Sequence, residues 1–278
     1  MALTITEEQK LLKDSAAEFL AMNAPVEQFR DLRDSNYKPF NENLWKQIVN
    51  MGWTSLTISE EFDGLDFGFV GLGQVLEEMG KTLTKAPLFS SIVLGATALN
   101  NSSNQKLKET WLPMLMDGFK RIAFAQDEHN YFDPTAIVTS AKKSSDGFLI
   151  SGKKTMVIDG AGADAFIVVA RTDDGEPALF LVNSSAKGVS LTSEILLDAG
   201  TYASVTFNNV EVTANDRISD VGNGTVLLNQ ILNTASICLA SEMLGIVKEA
   251  FSQTVEYLKE REQFGKRIGS YQALQHRA

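Results

Sequence analysis

The residues of this chain that are best suited to chemistry lie close to its C-terminus. Arg261, Phe264 and Gln272 bring a cation, an aromatic ring and an amide into one short segment. A guanidinium binds phosphate through charge-assisted hydrogen bonds, and an aromatic side chain can stack on a flat heteroaromatic ring. The segment therefore suits a nucleotide-like ligand. The same residues also fit a polar turn between two helices with a packed Phe, and their spacing alone favours that turn.

A break between two helices is predicted to bring these side chains to one corner. Apolar residues recur with a helical period from about Thr225, and this helix is predicted to end at Gly265, where a residue without a Cβ turns the chain at low cost. A second helix is predicted after Gly269, with Ser270 as its N-cap. The first helix is apolar nearly all round, which is typical of a helix buried in a core, including the core of an oligomer.

The rest of the chain divides into a helical part and a strand-rich part. Helical periodicity dominates the first ~118 residues, with a predicted capping box at Thr6 and Gln9 and a predicted helix at Gln105–Met116. Eight short strand-like runs follow, including 148–151 and 155–158 on either side of a turn at Gly152. They are separated by turns rather than helices, which predicts an antiparallel sandwich or barrel. The predicted fold class is therefore α+β and multi-domain. It has an N-terminal helical domain (1–118), a central antiparallel β-barrel or sandwich domain (119–222) and the start of a C-terminal helical bundle (223–278).

Composition excludes several classes of function. The 278 residues are 44% hydrophobic, which is enough for a large core, and the net charge of −10 argues against nucleic acid as a partner. Two histidines, His129 and His276, without clustered His or Cys ligands, argue against a metal site. The one cysteine, Cys238, fits a reducing, cytoplasmic location. No uninterrupted apolar run reaches the ~18 residues that a membrane span needs.

The C-terminal segment also resembles a known signature. The run Arg261-Glu-Gln-Phe-Gly-Lys-Arg-Ile-Gly-Ser-Tyr-Gln272 is similar to a motif of the acyl-CoA dehydrogenase family. The resemblance implies that Arg261, Phe264 and Gln272, with Gln263 between them, hold the pyrophosphate and adenine of FAD, an FAD bound mainly by the neighbouring subunit. It further implies α,β-dehydrogenation of an acyl-CoA substrate, electron transfer to an electron-transfer flavoprotein, and a homo- or hetero-oligomer, a dimer or tetramer.

Two further flavin contacts of that family map onto altered residues here. A glycine-rich segment of the family ends the first strand, whereas this chain has Gln126 and Asp127 at that place, which can still hydrogen-bond a flavin edge or form an ordinary strand end. A Trp-x-Thr contact of the family is replaced by Met156 and Ile158. These departures resemble the small subunits of pimeloyl-CoA dehydrogenase-like enzymes, which are expected to pair with a large subunit.

No catalytic base is visible by the same comparison. One branch of the family carries its glutamate on the long central helix, where this chain has Ala235, followed by Ser236. Glu242 is close by, but a helix carboxylate is more often structural or solvated. The resemblance implies about a hundred further residues completing a four-helix bundle, so the chain is read as a fragment or a short form. Two functions follow: an FAD-dependent acyl-CoA dehydrogenase, as a small subunit, or a non-catalytic partner that completes the flavin site of a catalytic large subunit.

Overall fold

The structure is a computed structural model that describes residues 4–34, 38–196 and 200–278. Its first part is helical, as the sequence periodicity predicts. A π-helical stretch at Phe89–Ala96 leads into α5. The helices of this part are α1 (Glu7–Asn23), α2 (Val26–Asp34), α3 (Glu42–Asn50), α4 (Gly68–Thr82), α5 (Thr97–Asn100) and α6 (Gln105–Met116).

Local signals explain where two of these helices begin. At α1, the backbone N–H of Gln9 donates to Thr6 Oγ1 at 3.2 Å, and the backbone N–H of Thr6 donates to Gln9 Oε1 at 3.0 Å. This is the reciprocal capping box that the sequence predicts. At α3, Asn41 Oδ1 accepts from the N–H groups of Asn43 and Leu44 at 3.0 and 3.1 Å. Both caps satisfy donors that the first turn of a helix leaves without intrahelical partners.

Seven strands form one mixed sheet. The strand order is β1-β4-β2-β3-β7-β6, with β5 paired to β4. The pairs β1–β4 and β2–β4 are parallel, so the prediction of an antiparallel sheet is wrong for these two pairs. That prediction assumed that parallel strands need a helical crossover, whereas a loop and the β2–β3 hairpin connect β1 to β4 here. The strands are β1 (Ile122–Ala125), β2 (Ser140–Lys143), β3 (Gly147–Ile158), β4 (Ala165–Thr172), β5 (Pro177–Asn183), β6 (Val189–Ile195) and β7 (Thr201–Thr213).

Strand β3 joins two segments that the sequence predicts as separate strands, 148–151 and 155–158. It pairs with β7 along its length, with register shifts between Ile150 and Gly152 and between Lys154 and Val157. An irregular pair of this kind lets a strand bend and continue. The glycine at 152, which marks a turn in the sequence, therefore lies at a bulge.

The long helix α7 (Gly224–Glu260) packs against α4 through glycines. Its 37 residues span ~55 Å at 1.5 Å per residue. A Cβ built on Gly80 would lie 2.1 Å from the Glu242 carbonyl oxygen, and one on Gly245 would lie 1.8 Å from the Glu77 carbonyl oxygen. Only glycine fits where the two backbones are this close, so these two residues set the distance between α4 and α7.

A buried carboxylate reinforces the same contact. Glu77, whose side chain is 7% exposed, lies 2.6 Å from Lys13 Nζ of α1 and 2.6 Å from Lys248 Nζ of α7. Burial raises the pKa of Glu77, but the two ammonium groups outweigh it and hold the pKa below its usual value. Glu77 therefore connects three helices as a carboxylate.

One side of α7 is apolar and exposed. Leu227, Ile231 and Cys238 are buried, whereas Ile237 and Val247 are 67% and 61% exposed. The predicted burial nearly all round is therefore found on one side only within the part of the chain that the structure describes. In length and composition α7 would also suit a membrane span, a property that core helices of soluble proteins share. It packs on α4 along its buried side.

The chain leaves α7 by a hairpin, earlier than predicted. The helix ends at Glu260, and β8 (Glu262–Gln263) pairs with β9 (Lys266–Arg267). Phe264 and Gly265 form the turn with φ of 56° and 77°. Two successive residues with positive φ suit a two-residue hairpin turn. Gly265 therefore closes the hairpin, and the prediction that it ends the helix is wrong.

The last helix, α8 (Gln272–Gln275), follows a short 3₁₀ turn at Ile268–Ser270. The predicted capping role of Ser270 is wrong, because its hydroxyl donates to the Arg267 carbonyl oxygen at 2.7 Å. Tyr271 takes the cap position instead, without a side-chain hydrogen bond.

Candidate functional site

The C-terminal candidates lie on and beside the β8–β9 hairpin. The Phe264 ring at its tip is 92% exposed, and Arg261, Gln263 and Gln272 are exposed as well. Among the residues that the structure describes, no hydrogen bond or ion pair engages the Arg261 guanidinium. The Arg261 guanidinium and the exposed Phe264 ring are therefore available to bind a ligand or a partner.

The hairpin is fixed to the end of α7 despite this exposure. The Ile268 N–H donates to the Arg261 carbonyl oxygen at 2.8 Å. Lys266 Nζ lies 4.2 Å from the centre of the Tyr271 ring, a cation–π contact. A Cβ on Gly269 would come within 2.7 Å of the Leu258 carbonyl oxygen, so the chain passes close to the helix. These contacts hold the exposed side chains in a defined place.

The second predicted group follows strand β1 and is held by β3. Gln126 is buried, and its carbonyl oxygen accepts from Lys154 Nζ at 2.9 Å. Lys154 is fully buried and pairs with Glu128 Oε1 at 2.6 Å. The Thr155 N–H donates to the Asp127 carbonyl oxygen at 2.8 Å. The segment is thus a structured edge of the sheet, bound to β3 by a buried ion pair.

Asp127 carries an unsatisfied acceptor at this edge. Its Oδ1 is buried and has no hydrogen-bond partner in the described chain. Burial raises the pKa of Asp127, and the Lys154 charge offsets part of that rise. Because leaving a buried polar atom unpaired costs free energy, Asp127 is a candidate to pair with a polar group of a ligand.

The third predicted position, Ile158, lies in a cavity of about 410 Å³. The cavity lies between α4, the end of β3, the start of β7 and α7. Its walls are largely apolar, and its polar residues include Lys85, Asp159 and Glu242. Leu76, Met79, Phe89, Leu239 and Ile246 are among the apolar residues of the wall. An apolar cavity with a few charged groups is the usual form of a small-molecule site.

Asp159 gives this cavity an unusual carboxyl group. It follows Ile158 in the left-handed conformation, with φ of 56°, and Thr201 Oγ1 donates to its Oδ1 at 3.4 Å. Burial raises its pKa to about 6, and the nearby Glu242 carboxylate adds to that rise, whereas Lys85 and hydrogen bonds from Ser90 and Thr201 oppose it. In the sequence, Asp159-Gly160 has the form of an ordinary turn. The sequence signal that could have identified Asp159 is its position directly after Ile158, a predicted flavin contact.

The hairpin and the cavity lie far apart along α7. Glu242 of the cavity and Arg261 of the hairpin are 19 residues apart in the chain, which corresponds to ~28 Å of helix. Ile158 and Glu242 share one cavity, whereas Arg261, Gln263, Phe264 and Gln272 form a separate group on the hairpin. With Gln126 and Asp127 at the end of β1, the structure thus divides the predicted residues among three places.

The position of the family base on α7 holds no carboxylate. Ala235 is 9% exposed, and the Ser236 hydroxyl donates to the Leu232 carbonyl oxygen of its own helix at 2.8 Å. Glu242 lies seven residues further along, close to two full turns, and therefore on about the same face of the helix as Ala235. This places Glu242 in the cavity wall rather than on the exposed side of α7.

Family models cover nearly the whole chain. The model of the acyl-CoA dehydrogenase N-terminal domain matches residues 6–119, that of the middle domain 123–210 and that of the C-terminal domain 222–278. The chain belongs to the acyl-CoA dehydrogenase family. This confirms the family that the motif from Arg261 to Gln272 indicates.

Known acyl-CoA dehydrogenases match the chain over almost its full length. It is 30% identical to a mitochondrial isovaleryl-CoA dehydrogenase from Pongo abelii, over 98% of this chain and 67% of the relative. It is 30% identical to acyl-CoA dehydrogenase FadE27 from Mycobacterium tuberculosis, over 86% of this chain and 61% of the relative. The chain thus spans about two thirds of the length of such relatives.

Solved structures agree in fold. The ChsE4-ChsE5 complex from Mycobacterium tuberculosis matches with a TM-score of 0.90 and 28% identity, covering 100% of this chain and 73% of the matched chain. The Tcur3481-Tcur3483 steroid ACAD matches with a TM-score of 0.87 and 30% identity, covering 97% and 72%. Both are named as assemblies of two proteins.

Proposed function

We propose that this chain is a subunit of an FAD-dependent acyl-CoA dehydrogenase that introduces an α,β double bond into an acyl-CoA thioester. Membership of the family supports the reaction class. The observation that carries the proposal is the hairpin after α7, where an uncommitted Arg261 and an exposed Phe264 match the family's FAD motif. Electron-transfer flavoprotein is the proposed electron acceptor, and the cytoplasm the proposed location.

The residues present fit FAD. Arg261 would donate charge-assisted hydrogen bonds to the pyrophosphate, and Phe264, with Gln263 and Gln272, would contact the adenine end. At the sheet edge, Gln126 and Asp127 would bind the polar rim of the flavin, where the unpaired Asp127 Oδ1 supports such a contact. The apolar Ile158 side chain would cover part of the ring face. When bound, FAD supplies the hydride acceptor.

The separation of these groups supports a shared cofactor site. The hairpin lies ~28 Å along α7 from the cavity next to Ile158. One extended cofactor in this chain's own cavity would have to follow α7 over that whole length. A hairpin that binds FAD belonging mainly to a neighbouring subunit needs no such path, which favours a homo- or hetero-oligomer, a dimer or tetramer.

A second candidate function is a non-catalytic partner subunit. The buried Ala235 at the family base position and the hydrogen bond of Ser236 to its own helix favour it. In this case the chain would complete the flavin site of a catalytic large subunit and would leave proton abstraction to that subunit. The two-protein assemblies among the matched structures support an assembly of this kind.

One spectrum separates the two candidates. The visible absorption of the purified chain is recorded with FAD, before and after addition of acyl-CoA esters of several lengths. A flavin band that bleaches with acyl-CoA supports a chain with its own dehydrogenase activity. Flavin that is retained only when a second subunit is present supports the partner role. Absence of flavin under both conditions contradicts both candidates.

A further inference from the structure

A buried ion pair lies at the sheet edge that carries Gln126 and Asp127. Lys154 is fully buried, and its ammonium group donates to Glu128 Oε1 at 2.6 Å and to the Gln126 carbonyl oxygen at 2.9 Å. Taking two charges out of water costs free energy that their attraction returns only in part, so such a pair is a weak means of stabilising a core. Its main effect is therefore on the backbone groups that it holds in place.

Glu128 keeps Lys154 in position. Its carboxylate also accepts from the backbone N–H groups of Val138, at 2.8 Å, and Thr139, at 3.0 Å. Burial raises the pKa of Glu128, but the Lys154 charge and these hydrogen bonds outweigh burial and hold the pKa below its usual value. The ionised carboxylate is thus bound to the segment that leads into β2. Lys154 therefore has a partner that the backbone itself holds in place.

The Lys154 ammonium group fixes the orientation of the peptide between Gln126 and Asp127. The described residues contain no cis peptide bond, and in a trans peptide the C=O and N–H groups point in opposite directions. Because the Gln126 carbonyl points towards Lys154, the Asp127 N–H points away from it. Among the described residues, no hydrogen bond engages that N–H. The Asp127 N–H is therefore an oriented donor with a free valence for a ligand.

We propose that Lys154 is a positioning residue for the flavin, because it holds the peptide between Gln126 and Asp127 so that the Asp127 N–H meets an acceptor of the ring. The inference rests on the proposed function, in which this sheet edge contacts the flavin of FAD. The polar rim of the oxidised ring carries nitrogen and oxygen acceptors, and a donor that is already oriented binds them without a further ordering cost. Lys154 acts through the backbone, since its ammonium group is fully buried.

Two variants break the same ion pair but differ in their effect on the peptide. Lys154→Met removes the donor to the Gln126 carbonyl, whereas Glu128→Gln leaves that donor in place. FAD dissociation constants and melting temperatures are measured for both variants, with any subunit that copurifies with the chain. Lys154→Met is expected to weaken FAD binding by about tenfold, as for the loss of one oriented hydrogen bond, and Glu128→Gln by no more than about threefold.

A control and a double variant separate positioning from stability. Asp164→Asn removes the ion pairs with Lys120 and Arg121 at the other end of β1, and it is expected to lower the melting temperature without changing FAD affinity. The double variant Lys154→Met/Glu128→Gln leaves no charge of the pair buried without a partner. It should regain part of the stability that Lys154→Met loses, while FAD binding stays weak. It replaces Lys154→Met if that protein does not fold.

Hydrogen exchange in wild type tests the same contact without a substitution. The Asp127 amide is expected to exchange at least about tenfold more slowly when FAD is bound, because it then has an acceptor. The Thr155 amide is the internal reference. It already donates to the Asp127 carbonyl oxygen at 2.8 Å and should exchange slowly with and without FAD.

The outcomes separate this inference from the proposed function. FAD affinity that is unchanged in Lys154→Met, or equally reduced in Lys154→Met and Glu128→Gln, overturns the positioning role and leaves the proposed function in place. Exchange of the Asp127 amide that does not slow when FAD binds overturns it as well. Failure of FAD to bind wild type, alone or with a copurifying subunit, contradicts the proposed function and, with it, this inference.

Discussion

Replacing Glu77 by glutamine tests what holds α7 against the N-terminal helices. Glu77 contacts both Lys13 of α1 and Lys248 of α7, each at 2.6 Å. Glutamine has nearly the same shape but no charge, and its amide nitrogen would face one of the two ammonium groups. The change therefore removes the charge while leaving the packing intact.

The contacts set the size of the effect. Lys13 is 21% exposed and Glu77 7%, so their charge-assisted hydrogen bond is partly buried and contributes roughly 1.5–3 kcal/mol. Lys248 is 50% exposed and can turn to water, so its share is about 1 kcal/mol or less. Since the glutamine oxygen still accepts one hydrogen bond, Glu77→Gln is expected to lower the free energy of unfolding by about 2 kcal/mol.

Denaturant unfolding at pH 7 measures this loss. Glu256→Gln is the matched control, because Glu256 pairs with Lys259 on the exposed end of α7 and should change the free energy of unfolding by less than about 0.5 kcal/mol. The pKa of Glu77 is lowered in the fold, so its contribution is present above the unfolded pKa and is lost as pH falls through the folded one. The difference between wild type and Glu77→Gln should therefore shrink below about pH 4. A Glu77→Gln protein as stable as Glu256→Gln at pH 7 would refute the reasoning.

Three further changes test other parts of the structure. Gly245→Ala places a Cβ 1.8 Å from the Glu77 carbonyl oxygen and should lower the free energy of unfolding by about 3 kcal/mol or more. An unchanged melting temperature would contradict this prediction. Asp159→Asn should raise the free energy of unfolding above pH 6 and hardly change it near pH 4. The pKa of Asp159 is raised to about 6 in the fold, so ionisation of this carboxyl lowers the stability of wild type as pH rises from about 4 to about 6. A gain of equal size at both pH values would contradict this. Phe264→Ala should weaken FAD binding by about tenfold without lowering the melting temperature, since its ring is 92% exposed. Equal FAD dissociation constants for both proteins would count against that contact.

Periodicity and capping signals predicted most of the helical part, although α2 (Val26–Asp34) was not predicted. The capping box at Thr6 and Gln9 and the bounds Gln105–Met116 appear as the sequence predicts, because such signals act within one or two turns of chain. The strand-rich block was found as well. Its parallel pairs were not, since which strands pair depends on contacts between distant segments that no local pattern records.

The candidate site shows the same limit. The motif near Arg261 was readable because its residues are close in the chain, although the hairpin that presents them was mistaken for a helix break. Asp159 was missed, because its neighbours Lys85 and Glu242 come from segments 74 and 83 residues away in the sequence. The glycines that bring α4 and α7 together have no sequence signature of their own, and one of them, Gly80, lies against the backbone carbonyl of Glu242.

The flavin content of the Arg261→Ala protein is the most direct test of the central claim, that the hairpin after α7 binds FAD. Wild type and variant are purified in parallel, with any copurifying subunit, and their FAD dissociation constants are measured by flavin absorption and fluorescence. Lys259→Ala, which removes an exposed cation two residues earlier, is the control. The account predicts that Arg261→Ala weakens FAD binding by about ten- to a hundredfold while Lys259→Ala does not, because a charge-assisted phosphate contact contributes roughly 1.5–3 kcal/mol. Equal FAD binding by wild type and Arg261→Ala would contradict it.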